Sequence, residues 1–223
     1  MHDVNITVKA GQKVAIVGPT GAGKTTLINL LMRFYDVDGG SILVDGVDTK
    51  EMTRHELRDR FGMVLQDAWL FEGSIRDNIA YAQDNLPEEK IIAAARSASV
   101  DSFIKTLPGG YDFELSTGAE NISQGQRQLL TIARAMASDP EIMILDEATS
   151  NVDTHTEQLI QKALAKLMHG RTSFVIAHRL STIRDADMIL YMEHGDILEH
   201  GSHEELMAQH GKYEALYMSQ FAQ

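Results

Sequence analysis

Gly18-Pro19-Thr20-Gly21-Ala22-Gly23-Lys24-Thr25 fits the pattern G-x-x-x-x-G-K-[ST] at every fixed position. The flanking residues supply the context such a loop needs. Lys13-Val14-Ala15-Ile16-Val17 before it is an apolar run of strand length, and Thr26 to Arg33 after it reads as a helix. Glycines at a strand-to-helix junction let successive backbone N–H groups wrap a polyphosphate, and the helix N-terminus adds a favourable dipole. Lys24 is placed to reach the β- and γ-phosphates, and the Thr25 hydroxyl to ligate Mg2+. Gly18, Pro19, Thr20, Gly21, Ala22, Gly23, Lys24, Thr25 and Thr26 are therefore the candidate phosphate-binding residues. A glycine-rich turn that matches by chance would not account for both flanks.

The 223 residues suffice for one large domain or a domain with an inserted subdomain. With 43% hydrophobic and 23% charged residues the composition is that of an ordinary globular protein. No apolar run reaches the roughly 18 residues of a membrane span, and Met1-His2-Asp3-Val4-Asn5 lacks the regions of a signal peptide. There are no cysteines and so no disulfide framework, which suits a reducing compartment. Twenty Lys and Arg against 32 Asp and Glu give a net charge of −12. That balance weighs against nucleic acid as a partner, because a phosphate backbone needs a basic face. It does not weigh against nucleotides, which a local nest of N–H groups can hold.

Hydrophobic patterning outlines an α/β protein. Ile6-Thr7-Val8 alternates like a strand, and Ser41 to Val47 reads as a hairpin closing on Asp45-Gly46. Phe61-Gly62-Met63-Val64-Leu65-Gln66 is a buried-strand candidate. From about residue 67 to 139 the pattern turns helical, with Pro87 just before Glu88-Glu89-Lys90-Ile91-Ile92 marking the first turn of one helix and Ser123–Met136 forming a long one. Ile142–Leu145 and Ser173–Ala177 are apolar runs separated by a helix at Thr154–Met168, which implies a mostly parallel sheet. Met188–Met192 and Asp196–Glu199 flank a turn at His194-Gly195, and Ser202-His203-Glu204-Glu205 is a capping box opening a last helix.

Ile142-Met143-Ile144-Leu145-Asp146-Glu147 is an apolar strand ending in two carboxylates. In a doubly wound sheet that end faces the ligand crevice. Beside the phosphate loop it forms a Walker B arrangement, in which Asp146 holds Mg2+ and Glu147 polarises an attacking water as general base.

Asn121-Ile122-Ser123-Gln124-Gly125-Gln126-Arg127-Gln128, upstream of that strand, resembles the signature motif of ABC transporter ATPase domains, usually L-S-G-G-Q. The other parts follow in the family's order: Gln66 resembles the Q-loop glutamine, Ser150-Asn151-Val152-Asp153 the D-loop, and His178 the switch histidine. Phe61–Ile79 resembles the exporter branch, in which the domain is fused to transmembrane helices. The resemblance covers essentially the whole chain. It implies a P-loop, RecA-like core at about 1–67 and 139–223, with a small, truncated N-terminal antiparallel β part, and an inserted α-helical subdomain at about 68–138.

It also implies a mechanism. Two copies sandwich two ATP molecules head to tail, with Ser123, Gly125 and Gln126 of one copy meeting the γ-phosphate held by the P-loop of the other. His178 bonds that phosphate, and Gln66 senses Mg2+ and water while its loop contacts the transmembrane domain. The catalytic residues are then Glu147 and His178, and the Mg2+ ligands Thr25, Gln66 and Asp146. The implied setting is the cytoplasmic face of a membrane, with export of a substrate as the output. The alternative is an ATPase of the same type acting on DNA or ribosomes, but the coiled coils and basic linkers of those proteins are not found here. Trp69 and Phe71 are either subdomain core or the contact with the membrane domain, and Glu120 is either solvated or another such contact. His200 and His203 lack further metal ligands nearby in sequence.

Two departures from the family pattern stand out. Gln124 replaces the first signature glycine, so its side chain is expected to point away from the phosphate. The aromatic residue that stacks on adenine some two dozen positions before the P-loop strand is not found. The sequence is accordingly expected to be cut from a longer polypeptide and to bind ATP more weakly than the extended protein.

Overall fold

The structure, a computed structural model, describes residues 1–65, 69–81, 83, 85–146 and 152–221. In chain order its elements are β1 (Lys13–Val17), α1 (Lys24–Leu31), β2 (Leu43–Val44), β3 (Val47–Asp48), α2 (Arg54–Asp59), β4 (Phe61–Val64), β5 (Gly73–Ser74), α3 (Ile75–Ile79), α4 (Glu88–Ser97) and α5 (Asp101–Ile104). Then follow β6 (Glu114–Leu115), α6 (Gln124–Ser138), β7 (Ile142–Asp146), α7 (Thr154–Met168), β8 (Thr172–Ile176), α8 (Leu180–Arg184), β9 (Met188–Glu193), β10 (Asp196–Gly201), α9 (His203–Ala208) and α10 (Lys212–Phe221). The principal sheet has six strands in the order β10-β9-β1-β8-β7-β4. The chain divides into two compact units, one of residues 1–61, 141–147 and 170–223, the other of 62–140 and 148–169.

The first unit carries the parallel part of the sheet. β1 lies between β8 and β9, and β7 runs beside β8, all parallel. Strands buried on both faces must be apolar throughout, and Val14, Ala15, Ile16 and Val17 are at most 2% exposed. Each such buried aliphatic side chain contributes about 1.5–3 kcal/mol relative to leaving it in water. β9 and β10 form the antiparallel hairpin expected around His194-Gly195, both at positive φ as a tight two-residue turn demands. The capping box at Ser202 is present, closed by reciprocal bonds with Glu205.

The small antiparallel part is the β2–β3 hairpin, which closes on Asp45-Gly46 as expected. Ile6–Val8, expected to be a strand, is not one. Alternation alone does not make a strand; the backbone groups need a neighbouring ladder, and none pairs with this segment among the described residues.

The second unit is mostly helical. Ser123 caps α6 and is reciprocated by Gln126, so the helix starts at Gln124 and runs to Ser138, where Asp139 at positive φ and Pro140 stop it. Pro87 stands at the N-cap of α4, immediately before Glu88, where the sequence places the start of that helix. The unit's polar centre is Asn78, fully buried. Its amide bonds the backbone of Phe71 and Ser74, and Arg134 donates to its side chain and carbonyl. The β5–β6 pairing joins two-residue strands some 40 positions apart, too short to leave a periodic trace.

Candidate functional site

Three segments of the first unit converge at the carboxyl edge of the parallel strands. The register aligns Ile16 of β1 with Ile176 of β8, and Ile176 with Asp146 of β7. Adjacent strands are about 4.8 Å apart, so the loop after Val17, the segment after Ile176 and the Asp146 carboxylate occupy one edge. Ligands of open α/β sheets bind at this edge.

The phosphate loop is held from beneath. Gly18 lies at φ 147°, and a Cβ there would overlap the Met192 carbonyl oxygen of β9. Gly23, at φ 98°, would bring a Cβ to 3.1 Å from Gly195 Cα. The Gly195 N–H donates to the Ala22 carbonyl at 3.0 Å. The β9–β10 turn is therefore the floor of the loop, a role that sequence reasoning missed. Its only trace in the sequence is His194-Gly195, which predicts a turn but not what the turn touches.

The Lys24 ammonium lies across the loop, donating to the carbonyls of Gly18 at 2.8 Å and Pro19 at 3.1 Å. Burial pushes its pKa down, and the charge of Asp146 partly opposes that. A partly desolvated cation that one carboxylate charge only partly offsets is poised for a polyanion that supplies more negative charge. Pro19, Thr20, Gly21, Thr25 and Thr26 are exposed along the loop and the first turn of α1, Gly18 and Gly23 are half-buried, and Ala22 is buried.

His178 follows β8, half exposed, with its Nε2 4.0 Å from Asp146 Oδ1. Beside it opens a cavity of about 550 Å³ lined by His178, Arg179, Leu180, Ser181, Arg184 and Asp185. No P-loop residue lines it, so it is not the phosphate cradle.

In the second unit Ser123 is exposed, Gln126 half-buried and Gly125 buried. The Ser123 N–H donates to Gln126 Oε1 at 2.8 Å, and the Gln126 N–H to Ser123 Oγ at 3.3 Å. Gln124 is exposed at the first position of α6. Gln66, Glu147 and the D-loop residues Ser150 and Asn151 lie outside the described residues; Val152 and Asp153 are described, and Asp153 caps α7. Trp69 is 60% exposed and so is not core, while Phe71 is half-buried. With Tyr81 these rings form a cluster 5.7–6.3 Å between centroids. Arg134 lies 4.8 Å from the Tyr81 ring. Glu120 is exposed.

The sequence profile of the ABC transporter family matches residues 1–150, a span that contains the P-loop, the signature segment and the Asp146 strand. The chain belongs to the ABC transporter family. A fatty acid ABC transporter ATP-binding/permease protein of Mycobacterium bovis is 55% identical over 213 residues, covering 96% of this chain and 34% of that protein. An ATP-dependent lipid A-core flippase of Desulfotalea psychrophila is 51% identical over 220 residues, covering 99% of this chain and 38% of that protein. Among solved structures, a bacterial Atm1-family ABC exporter with ATP bound superposes with a TM-score of 0.88 at 44% identity, over 97% of this chain and 38% of the exporter chain. The chain thus spans a little over a third of the length of these relatives. The part of these relatives that it matches belongs to ATP-binding/permease proteins and exporters. No described helix is long and apolar enough to cross a membrane.

Proposed function

We propose that the chain binds Mg·ATP on Gly18–Thr26 and hydrolyses it when a second nucleotide-binding domain presents Ser123, Gly125 and Gln126 to the γ-phosphate. The observation that carries this is the glycine cradle seated on β9, with the Lys24 ammonium held across the loop and the Asp146 charge acting on it. Loop amides and Lys24 hold the β- and γ-phosphates and orient them toward the carboxyl edge of the sheet. His178, 4.0 Å from Asp146, stands beside that edge and donates to the γ-phosphate. Glu147, the next residue after Asp146, accepts a proton from the attacking water.

The donor set fits magnesium. Among the described residues there is no group of three or more His, Cys, Asp or Glu that could hold a metal unaided. Mg2+ favours one or two protein oxygens completed by phosphate oxygens and water. Thr25, Asp146 and Gln66 would hold it, and it would neutralise charge on the phosphates. This chain's own residues do the rest.

Domain closure on ATP and reopening on hydrolysis would drive export of a substrate through transmembrane helices, with this domain at the cytoplasmic face of the membrane. The contact would run through the Gln66 region, which the exposed Trp69 supports. The relatives, named as ATP-binding/permease protein and flippase, support this output. The test is Glu147→Gln. ATP binding is retained, the closed pair lives longer, and turnover falls at least about a hundredfold. Unchanged turnover overturns the assignment of the base.

A further inference from the structure

Gly125 lies in the first turn of α6 with ordinary helical backbone, so conformational freedom does not explain a glycine there. Alanine is the better helix former at such a position. The explanation lies on the neighbouring helix. A Cβ at Gly125 would overlap the Thr156 Cγ2 methyl and stand 3.1 Å from Val152 Cγ1 and 3.4 Å from Thr156 Cβ. The Cβ direction thus points at the start of α7, into protein, and Gly125 is correspondingly buried.

Thr156 cannot easily swing aside. It is β-branched and stiff at χ1. Its N–H donates to Asp153 Oδ1 at 3.0 Å and its hydroxyl bonds the same carboxylate, which holds the Asp153 pKa down. Two helix starts therefore touch at one missing side chain. One carries Ser123 as its cap, and the other carries Asp153 as its cap, directly after Val152.

We propose that Gly125 is a positioning residue: its bare Cα seats the start of α6 against Val152 and against Thr156 in the first turn of α7, and so fixes Ser123 in register with the Val152-Asp153 segment. This deepens the reading of Ser123 as the group that meets the partner's γ-phosphate, and rests on it. A phosphate lies outside the direction in which a Gly125 side chain would grow. Bulk at this position shifts Ser123 relative to α7 instead of blocking the nucleotide directly.

The test is a crossed pair of substitutions in the full chain. Thr156→Ser removes the obstructing methyl and keeps the hydroxyl that Asp153 binds. Gly125→Ala lowers kcat about thirtyfold, with the KM for ATP changed by less than about threefold. Thr156→Ser alone stays within about twofold of the unsubstituted chain, and the double variant recovers to within about threefold of it. Gly125→Ala also lowers Tm, and Thr156→Ser restores most of the loss; without the clash the alanine would raise Tm. A double variant as slow as Gly125→Ala, or a fully active Gly125→Ala, overturns the proposal. If the unsubstituted chain neither binds nor turns over ATP, the ATPase reading fails. The contact is then judged by the Tm cycle alone, where additive substitutions overturn it.

Discussion

Gly18–Thr25 and Ser123–Gln126 each stand at the N-terminus of a helix, yet the two starts are finished differently. The α1 start is capped by Gly23 in the left-handed region, with no side-chain bond to the first N–H groups. The loop before it rests on a floor made by Met192 and Gly195. The α6 start is closed by its own side chains, Ser123 and Gln126, in a reciprocal box. An uncapped helix start retains orphan donors for an anion. A boxed one has already bonded one of them, the Gln126 N–H, and that bond to the Ser123 hydroxyl is the longer of the box's two, at 3.3 Å against 2.8 Å. On the proposed reading the P-loop is the receptor, and its glycine cradle and floor lie within one unit. The signature start is closed by its own box; on that reading the Ser123 oxygen keeps accepting from the Gln126 N–H while its O–H donates a charge-assisted bond to phosphate.

The sharpest way to break this comparison is Lys24→Ala. The chain's affinity for ATP falls about a hundredfold in a binding titration, because a charged donor to phosphate is lost. Affinity within a few-fold of the original would mean that the loop amides suffice. Gly18→Ala comes next. The overlap with the Met192 carbonyl lowers stability by about 3 kcal/mol in chemical denaturation, through strain between loop and β9. A neutral Gly18→Ala would show that the floor yields.

On the other side of the comparison, Ser123→Ala removes a helix cap and costs about 1 kcal/mol of stability, while ATP affinity at low protein concentration stays within about twofold. A large loss of affinity in the lone chain would erase the distinction between receptor and surface. The smallest effect is in pH. Because burial lowers the Lys24 pKa, the side chain loses its proton at a lower pH than an exposed lysine. In the unliganded chain a lowered lysine pKa opposes folding below that pKa, and the opposition fades as pH rises through it toward 10.5. ATP, which needs the charged form, weakens over the same interval. Titrating ATP affinity for the chain and for Lys24→Arg checks this, since the arginine keeps its charge and flattens the curve.

Much of this was legible from residues alone. The P-loop, the Asp146 strand, the β2–β3 and β9–β10 hairpins, the 154–168 helix and the Ser202 capping box rest on local signals of turn chemistry, periodicity and capping. Ile6–Val8 misled because alternation reports a face, while a strand also needs a partner. The β5–β6 ladder left no signal because two residues are too few to show a period. Trp69 could not be sorted between core and surface by type, since a large aromatic suits both.

By itself the sequence determined the chemistry available at each position: a glycine-rich loop between strand and helix, a lysine, a strand-ending carboxylate and a serine capping a long helix. Those properties belong to short segments, and short-range physics suffices for them. Only the tertiary structure decided that Gly18 and Gly23 rest on β9 and its turn, that Asp146 and His178 stand 4.0 Å apart at one edge, and that Gly125 is bare because Thr156 faces it. Each of these depends on close approach between residues 30 or more positions apart. Steric exclusion at such distances in the chain exists only once the sheet register and the helix crossing have brought them together.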